Sequence, residues 1–256
     1  MRNILLIFSL LLSLCSCSQT QQKQDSIIKI DPENLSVSNA IDSTITTNEL
    51  IPIKYLLGNF IPEKDSLFVQ VPRKYCLLRV EYIHKDVLQP FILMYEAAAL
   101  EGINLGIISA VRTFNTQKYL WEQRFFQSNN PNAVSKSILS YLAMPGTSRH
   151  HWGTDLDLMS LKLNYFSSPT GQKAYNWLLA NAANYGFYQV YTVGRSTGYN
   201  EEKWHWSYLP IAKEFQNQYK LKVTYSDISG FRGCETAKNL NVIESYVFGI
   251  NPELMK

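Results

Sequence analysis

The stretch Ser148–Asp157, SRHHWGTDLD, constrains the fold of this chain more than any other, because it sets imidazole and carboxylate groups on either side of a glycine turn. Only 4 histidines occur in the whole sequence. His150 and His151 lie here, and His205 follows in EEKWHWSY, just behind Glu201 and Glu202. A zinc ion that does chemistry takes three protein ligands from His, Asp, Glu or Cys and keeps a fourth position open for water. His150, one aspartate of the Asp155/Asp157 pair and His205 supply such a set, with a glutamate at hand as base.

Both stretches alternate with the period of a strand. In TDLDLMS, Asp155 and Asp157 share one face and Leu156 and Leu158 the other, so periodicity does not choose between the aspartates. In Lys203–Tyr208, His205 and Ser207 share a face opposite Trp204 and Trp206. A regular strand extended backwards would put Glu201, not Glu202, beside His205.

The pattern Ser148-x-His150-x-x-Gly153-x-x-x-Asp157 followed by Glu202-x-Trp204-His205 resembles the zinc D-alanyl-D-alanine carboxypeptidases of the vancomycin-resistance type and the related D,D-dipeptidases. The order of segments is similar from about Tyr55 to Tyr208, including SAVRTFNTQ, Ser109–Gln117, where that family carries a substrate-binding arginine. The resemblance implies a Zn2+ cofactor held by His150 rather than His151, by Asp157 rather than Asp155, and by His205. It usually has a small residue where this chain has Asp155, and it assigns the base to Glu202, which periodicity allows only if Glu202 lies in an irregular lead-in to the strand. Arg112 is then expected to bind substrate or steady the oxyanion, with Gln117 as a further substrate contact and Ser148 either as another or as a residue that holds the turn. The implied activity trims the terminal D-Ala of peptidoglycan stem peptides. A peptidoglycan endopeptidase, a carboxypeptidase of other stereochemical preference, and a non-catalytic cell-wall binding lipoprotein are the alternatives. A serine enzyme built on Ser148 is disfavoured, because no Gly-x-Ser-x-Gly surrounds it.

At 256 residues and 46% hydrophobic content, one catalytic domain with short additions is expected, as a monomer. A formal charge of +3 without a dense Lys/Arg cluster argues against nucleic acid. Met1-Arg2, the apolar Ile4–Leu14 and Leu14-Cys15-Ser16-Cys17 read as an export signal similar to that of a bacterial lipoprotein, with Cys17 as the acylated residue. Residues 18–50, polar and without apolar period, then read as a flexible tether from a membrane anchor on the periplasmic side of the cell envelope. The catalytic domain is placed at 51–220, with 221–256 as a helical addition packed on it. Cys76 and Cys234 are left as a disulfide or two free thiols.

The remaining elements follow from apolar spacing and caps. Helices are predicted at Asp86–Leu100 with Asp86 as N-cap, from Thr113 onward, at Pro131–Tyr141, Ser168–Tyr185, Pro210–Tyr219 and Cys234–Val247, and strands at Leu105–Val111 and Phe187–Val193. His84 reads as a surface or capping residue. The expected class is α+β, a small mostly antiparallel sheet bearing the zinc ligands with helices around it.

Overall fold

The alternation of TDLDLMS becomes the strand β4, Asp155–Leu158, at the middle of a four-stranded antiparallel sheet. Its neighbours are β3, Ile107–Ser109, on one side and β6, His205–Tyr208, on the other, with β5, Phe187–Gln189, at the far edge beyond β6. A separate antiparallel pair joins β1, Phe68–Gln70, to β2, Tyr82–His84. The computed structural model describes residues 50–126 and 129–255, so the expected export signal, Cys17 and the tether up to residue 49 lie outside the described residues. No helix among the described residues is long and apolar enough to cross a membrane.

Among the described residues, six α-helices surround the sheets: α1 Ile53–Leu56, α2 Lys85–Leu100, α3 Phe114–Glu122, α4 Pro131–Leu139, α5 Pro169–Asn181 and α6 Leu209–Lys222. Helix α2 buries Val87, Phe91, Met94 and Ala98, the single face that i, i+3 and i+4 spacing creates. Its N-cap is His84, whose Nδ1 accepts the Asp86 N–H at 3.3 Å, so the expected cap at Asp86 moves back by two residues. Thr113, Asn130 and Ser168 cap α3, α4 and α5 with side-chain oxygens in the usual way.

Two apolar clusters result. One packs α2 and α5 against the face of the sheet that carries Leu156, Leu158, Phe187 and Trp206. The other gathers Leu56, Trp121, Leu139, Trp152, Phe215 and Tyr219 with Ile228, Val242 and Val247 of the C-terminal segment. Residues Glu49–Lys256 form one compact unit.

Three further expectations change. The strand at Leu105–Val111 shortens to β3, and that at Phe187–Val193 to β5. The helix at Cys234–Val247 is not continuous: a 3-10 turn at Cys234–Thr236 and a π-helical turn at Ile243–Val247 flank Asn241, which sits at φ +48°. A left-handed residue cannot continue a right-handed helix, and asparagine tolerates that conformation better than most side chains. Cys76 and Cys234 are both free, the first buried in the sheet-side cluster and the second packed against the other.

Candidate metal centre

The β4–β6 ladder pairs Asp157 with His205 and Asp155 with Ser207. Cross-strand partners share a face, so these four side chains form one polar row while Leu156 and Trp206 point into the core behind. His150 reaches the row from a 3-10 turn, Arg149–Trp152, closed by Gly153 in the left-handed conformation (φ +71°). A Cβ at Gly153 would stand 2.8 Å from the His84 backbone nitrogen, which itself donates to the Gly153 carbonyl. Glycine is therefore required there both for its φ and for its lack of a side chain.

His150, Asp157 and His205 each offer one ligand atom, all within 4.8 Å of one another and all buried. His150 Nε2 lies 3.3 Å from Asp157 Oδ2, and His205 Nδ1 lies 3.2 Å from Asp157 Oδ1. The outer nitrogens are held from behind. His150 Nδ1 is 2.7 Å from the Ala110 carbonyl, and His205 Nε2 is 2.9 Å from Asp155 Oδ1. An imidazole that donates from its outer nitrogen presents the lone pair of the inner one, as a metal ligand must. His150 Nε2 is buried with no hydrogen-bond partner among the described residues, a vacancy that ligation would satisfy. Two imidazoles and one carboxylate are a donor set that suits zinc.

Glu202 precedes β6 in an irregular segment, where strand alternation does not apply. Its Oε2 lies 3.6 Å from His205 Nδ1, and it lines the same cavity as Arg112, Ser148, His150 and His205. Glu201 lines a different cavity, formed by the loop at 192–201. Burial pushes the Glu202 carboxyl up to about 7. Burial would also raise Asp157, but His150, His205 and Arg112 hold it well below the usual carboxylate range. For His205, burial would lower the pKa, yet the hydrogen bonds to Asp155 and Asp157 raise it to about 9.

Arg112 extends from the segment following β3 and donates from Nη2 to Asp157 Oδ2 at 3.0 Å and from Nη1 to Gln117 Oε1 at 3.3 Å. Gln117, expected to turn toward the cleft, is fully buried beside Arg112, and its Nε2 donates to the Ala143 carbonyl at 2.7 Å. It props the arginine and does not line the cavity. Ser148 does line it, and its hydroxyl makes no hydrogen bond to the described residues. His151 faces away: Nδ1 donates to the Arg112 carbonyl at 2.6 Å and Nε2 accepts the Gly146 N–H at 3.1 Å. Arg149, Thr154 and Tyr191 adjoin the site without any sign in the residue spacing. Only Ser207 was legible, through sharing the face of His205.

The family model described as D-alanyl-D-alanine carboxypeptidase (VanY) matches residues 80–211. The chain is 26% identical over 124 residues to the D-alanyl-D-alanine carboxypeptidase of Enterococcus faecalis, a match that covers 46% of this chain and 45% of that protein. It is 30% identical over 156 residues to YodJ of Bacillus subtilis, covering 58% and 52% respectively. The chain thus spans about half the length of the curated relatives it matches. Among solved structures, the vancomycin-resistance D,D-pentapeptidase VanY from a VanB-type cassette, in complex with Zn(II), superposes with a TM-score of 0.45 and 22% identity, over 59% of this chain and 88% of that one.

Proposed function

Since the chain belongs to the VanY family of D-alanyl-D-alanine carboxypeptidases, we propose that it removes the terminal D-Ala from peptidoglycan stem peptides, with zinc held by His150, Asp157 and His205. The observation that carries this reading is the buried convergence of those three ligand atoms, with Glu202 3.6 Å from His205 and outside the set. Zinc bound there supplies a Lewis acid that polarises a carbonyl and lowers the pKa of water to roughly 7. Glu202 takes a proton from the attacking water at Oε2 and returns it to the departing amine nitrogen. Glu202 starts ionised, and a carboxyl whose affinity for protons is raised by burial takes the water's proton more readily than an exposed one before passing it on.

Arg112 offers a planar guanidinium to the substrate's terminal carboxylate, and Gln117 keeps it aimed by fixing Nη1. The unpaired Ser148 hydroxyl adds a neutral contact at the cavity wall. Digesting purified muropeptides with and without chelator, and weighing the products by mass spectrometry, tests the activity. Loss of one alanine mass that stops on chelation is the expected result, and a product cut inside the cross-bridge would point to the endopeptidase reading instead.

The same reading places the enzyme outside the cytoplasm, which suits a peptidoglycan substrate. Met1-Arg2, the apolar Ile4–Leu14 and the small residue before Cys17 support export and acylation at Cys17, with residues 18–50 as the tether, 51–220 as the catalytic domain and 221–256 as an addition to it. Replacing Cys17 with alanine should move the protein from the membrane fraction to the soluble one.

A further inference from the structure

Resting on the reading that His150, Asp157 and His205 hold zinc, we propose that Asp155 is a positioning residue that locks the His205 ring, and that Arg149, Thr154 and Ser207 form the clamp that fixes Asp155. The two aspartates of β4 share a face but not a role. Every acceptor site of Asp155 is occupied: Oδ1 accepts from Arg149 Nε and from His205 Nε2, both at 2.9 Å, and Oδ2 accepts from Thr154 Oγ1 at 2.6 Å and Ser207 Oγ at 2.9 Å. A carboxylate so saturated has no lone pair left for a metal. Asp157 instead turns both oxygens toward the inner nitrogens of the two histidines.

The clamp is closed on itself. Arg149 Nη2 donates to Ser207 Oγ at 3.0 Å, the same hydroxyl that donates to Asp155, and Nη1 donates to Gln216 Oε1 of α6 at 2.8 Å. Its guanidinium lies 4.5 Å from the centre of the Trp152 ring. Arg149 and Asp155 are both buried, so none of this geometry is left to solvent. A buried ion pair is weak as a source of stability, because desolvation offsets most of its attraction and apolar residues of similar size do as well. What this one supplies is direction. With Nε2–H donated to Asp155, the lone pair of Nδ1 faces Asp157 and Glu202, and rotation of the ring would forfeit the bond to a charged acceptor.

The test compares zinc affinity, by chelator competition, in the wild type, in Asp155→Asn and in the double variant Arg149→Met/Asp155→Ala, which removes both charges and so leaves no unpaired buried ion if the single variant misfolds. Loss of a partner behind a ligating histidine typically weakens metal binding ~10- to 100-fold, and that loss is expected in both variants. In the zinc-loaded wild type the His205 Nε2–H proton should be shifted downfield by its carboxylate acceptor, and in both variants that shift should disappear. Stoichiometric zinc in the wild type with unchanged affinity and unchanged His205 resonance in the folded variants would overturn the role of Asp155. No zinc binding by the wild type would overturn the zinc reading itself, which keeps the two failures apart.

Discussion

The candidate centre has two walls that are built by different means. On the sheet wall, Asp155, Asp157, His205 and Ser207 take their places from the antiparallel ladder of β4 and β6, where backbone pairing sets every neighbour. On the loop wall, Ser148, His150, Arg112 and Glu202 come from turns with no ladder, and side chains do the holding. His150 and His151 bond the carbonyls of Ala110 and Arg112, and Gln117 ties Arg112 to Ala143. Arg195 donates to the carbonyls of Thr192, Thr197, Tyr199, Asn200 and Gly249, stapling the loop before Glu202 to the C-terminal segment. The contrast teaches that a short strand pair fixes two of the three candidate ligands, whereas the third, His150, and the groups proposed to meet substrate depend on contacts from distant parts of the chain.

The sharpest way to separate the walls is to remove one group from each. Glu202→Ala should lower turnover ~100- to 10,000-fold while zinc content stays near one per chain, and His205→Ala should lose the metal as well. D-Ala release measured beside zinc content decides this. Near-normal turnover in Glu202→Ala would shift the base to another residue, with Glu201 tested next.

Acid should weaken the loop wall from behind. Burial lowers His84 from its ordinary 6.5 to about 4, and its Nδ1 must be unprotonated to accept the Asp86 N–H that starts α2. The unfolded chain therefore binds this proton first. Stability is fully present above pH 6.5 and falls as pH drops toward 4, by on the order of 3 kcal/mol from this group. Denaturant unfolding at pH 7 and at pH 4.5 should show that loss, and His84→Asn, which keeps a capping side chain, should show a smaller one. An identical pH slope in the variant would remove His84 from the account.

Arg112 tests what the loop wall reads. If its guanidinium holds the terminal carboxylate, Arg112→Lys should raise KM roughly tenfold, since a point charge replaces a planar pair of donors. The effect should shrink against a substrate with an amidated end. Equal loss of kcat on both substrates would assign the arginine to the transition state instead.

The smallest expected effect on the chemistry lies in the staple. Gly198 sits at φ +89°, and a Cβ there would approach the Gly249 carbonyl oxygen to 2.2 Å. Gly198→Ala should cost roughly 1–3 kcal/mol of stability through strain at that position and lower kcat/KM, with zinc affinity unchanged. A simultaneous loss of zinc would show that the two walls are not independent.

Much of the site was legible because its residues obey short-range rules. Alternation in TDLDLMS put the two aspartates on one strand face and that in KWHWSY put His205 with Ser207 on another, the apolar spacing of Val87–Ala98 gave a core helix, and Gly153 marked the turn. Those features depend on residues within a few positions of one another, and the α+β class follows from them. Tertiary structure alone decided the rest. Asp155 and Asp157 are equivalent to a periodicity of two, and they part because Arg149, folded back by the 3-10 turn, joins Thr154, Ser207 and His205 in saturating one of them. Glu202 faces the cavity because β6 begins at His205, which frees the preceding residues from alternation. Gln117 is committed to Ala143 and Arg112, partners that no local pattern could name. The C-terminal helix breaks at Asn241, where burying Val242, Ile243 and Val247 against the second cluster outweighs the local preference to continue. Local sequence determined which side chains share a face; long-range packing determined which of them meets which.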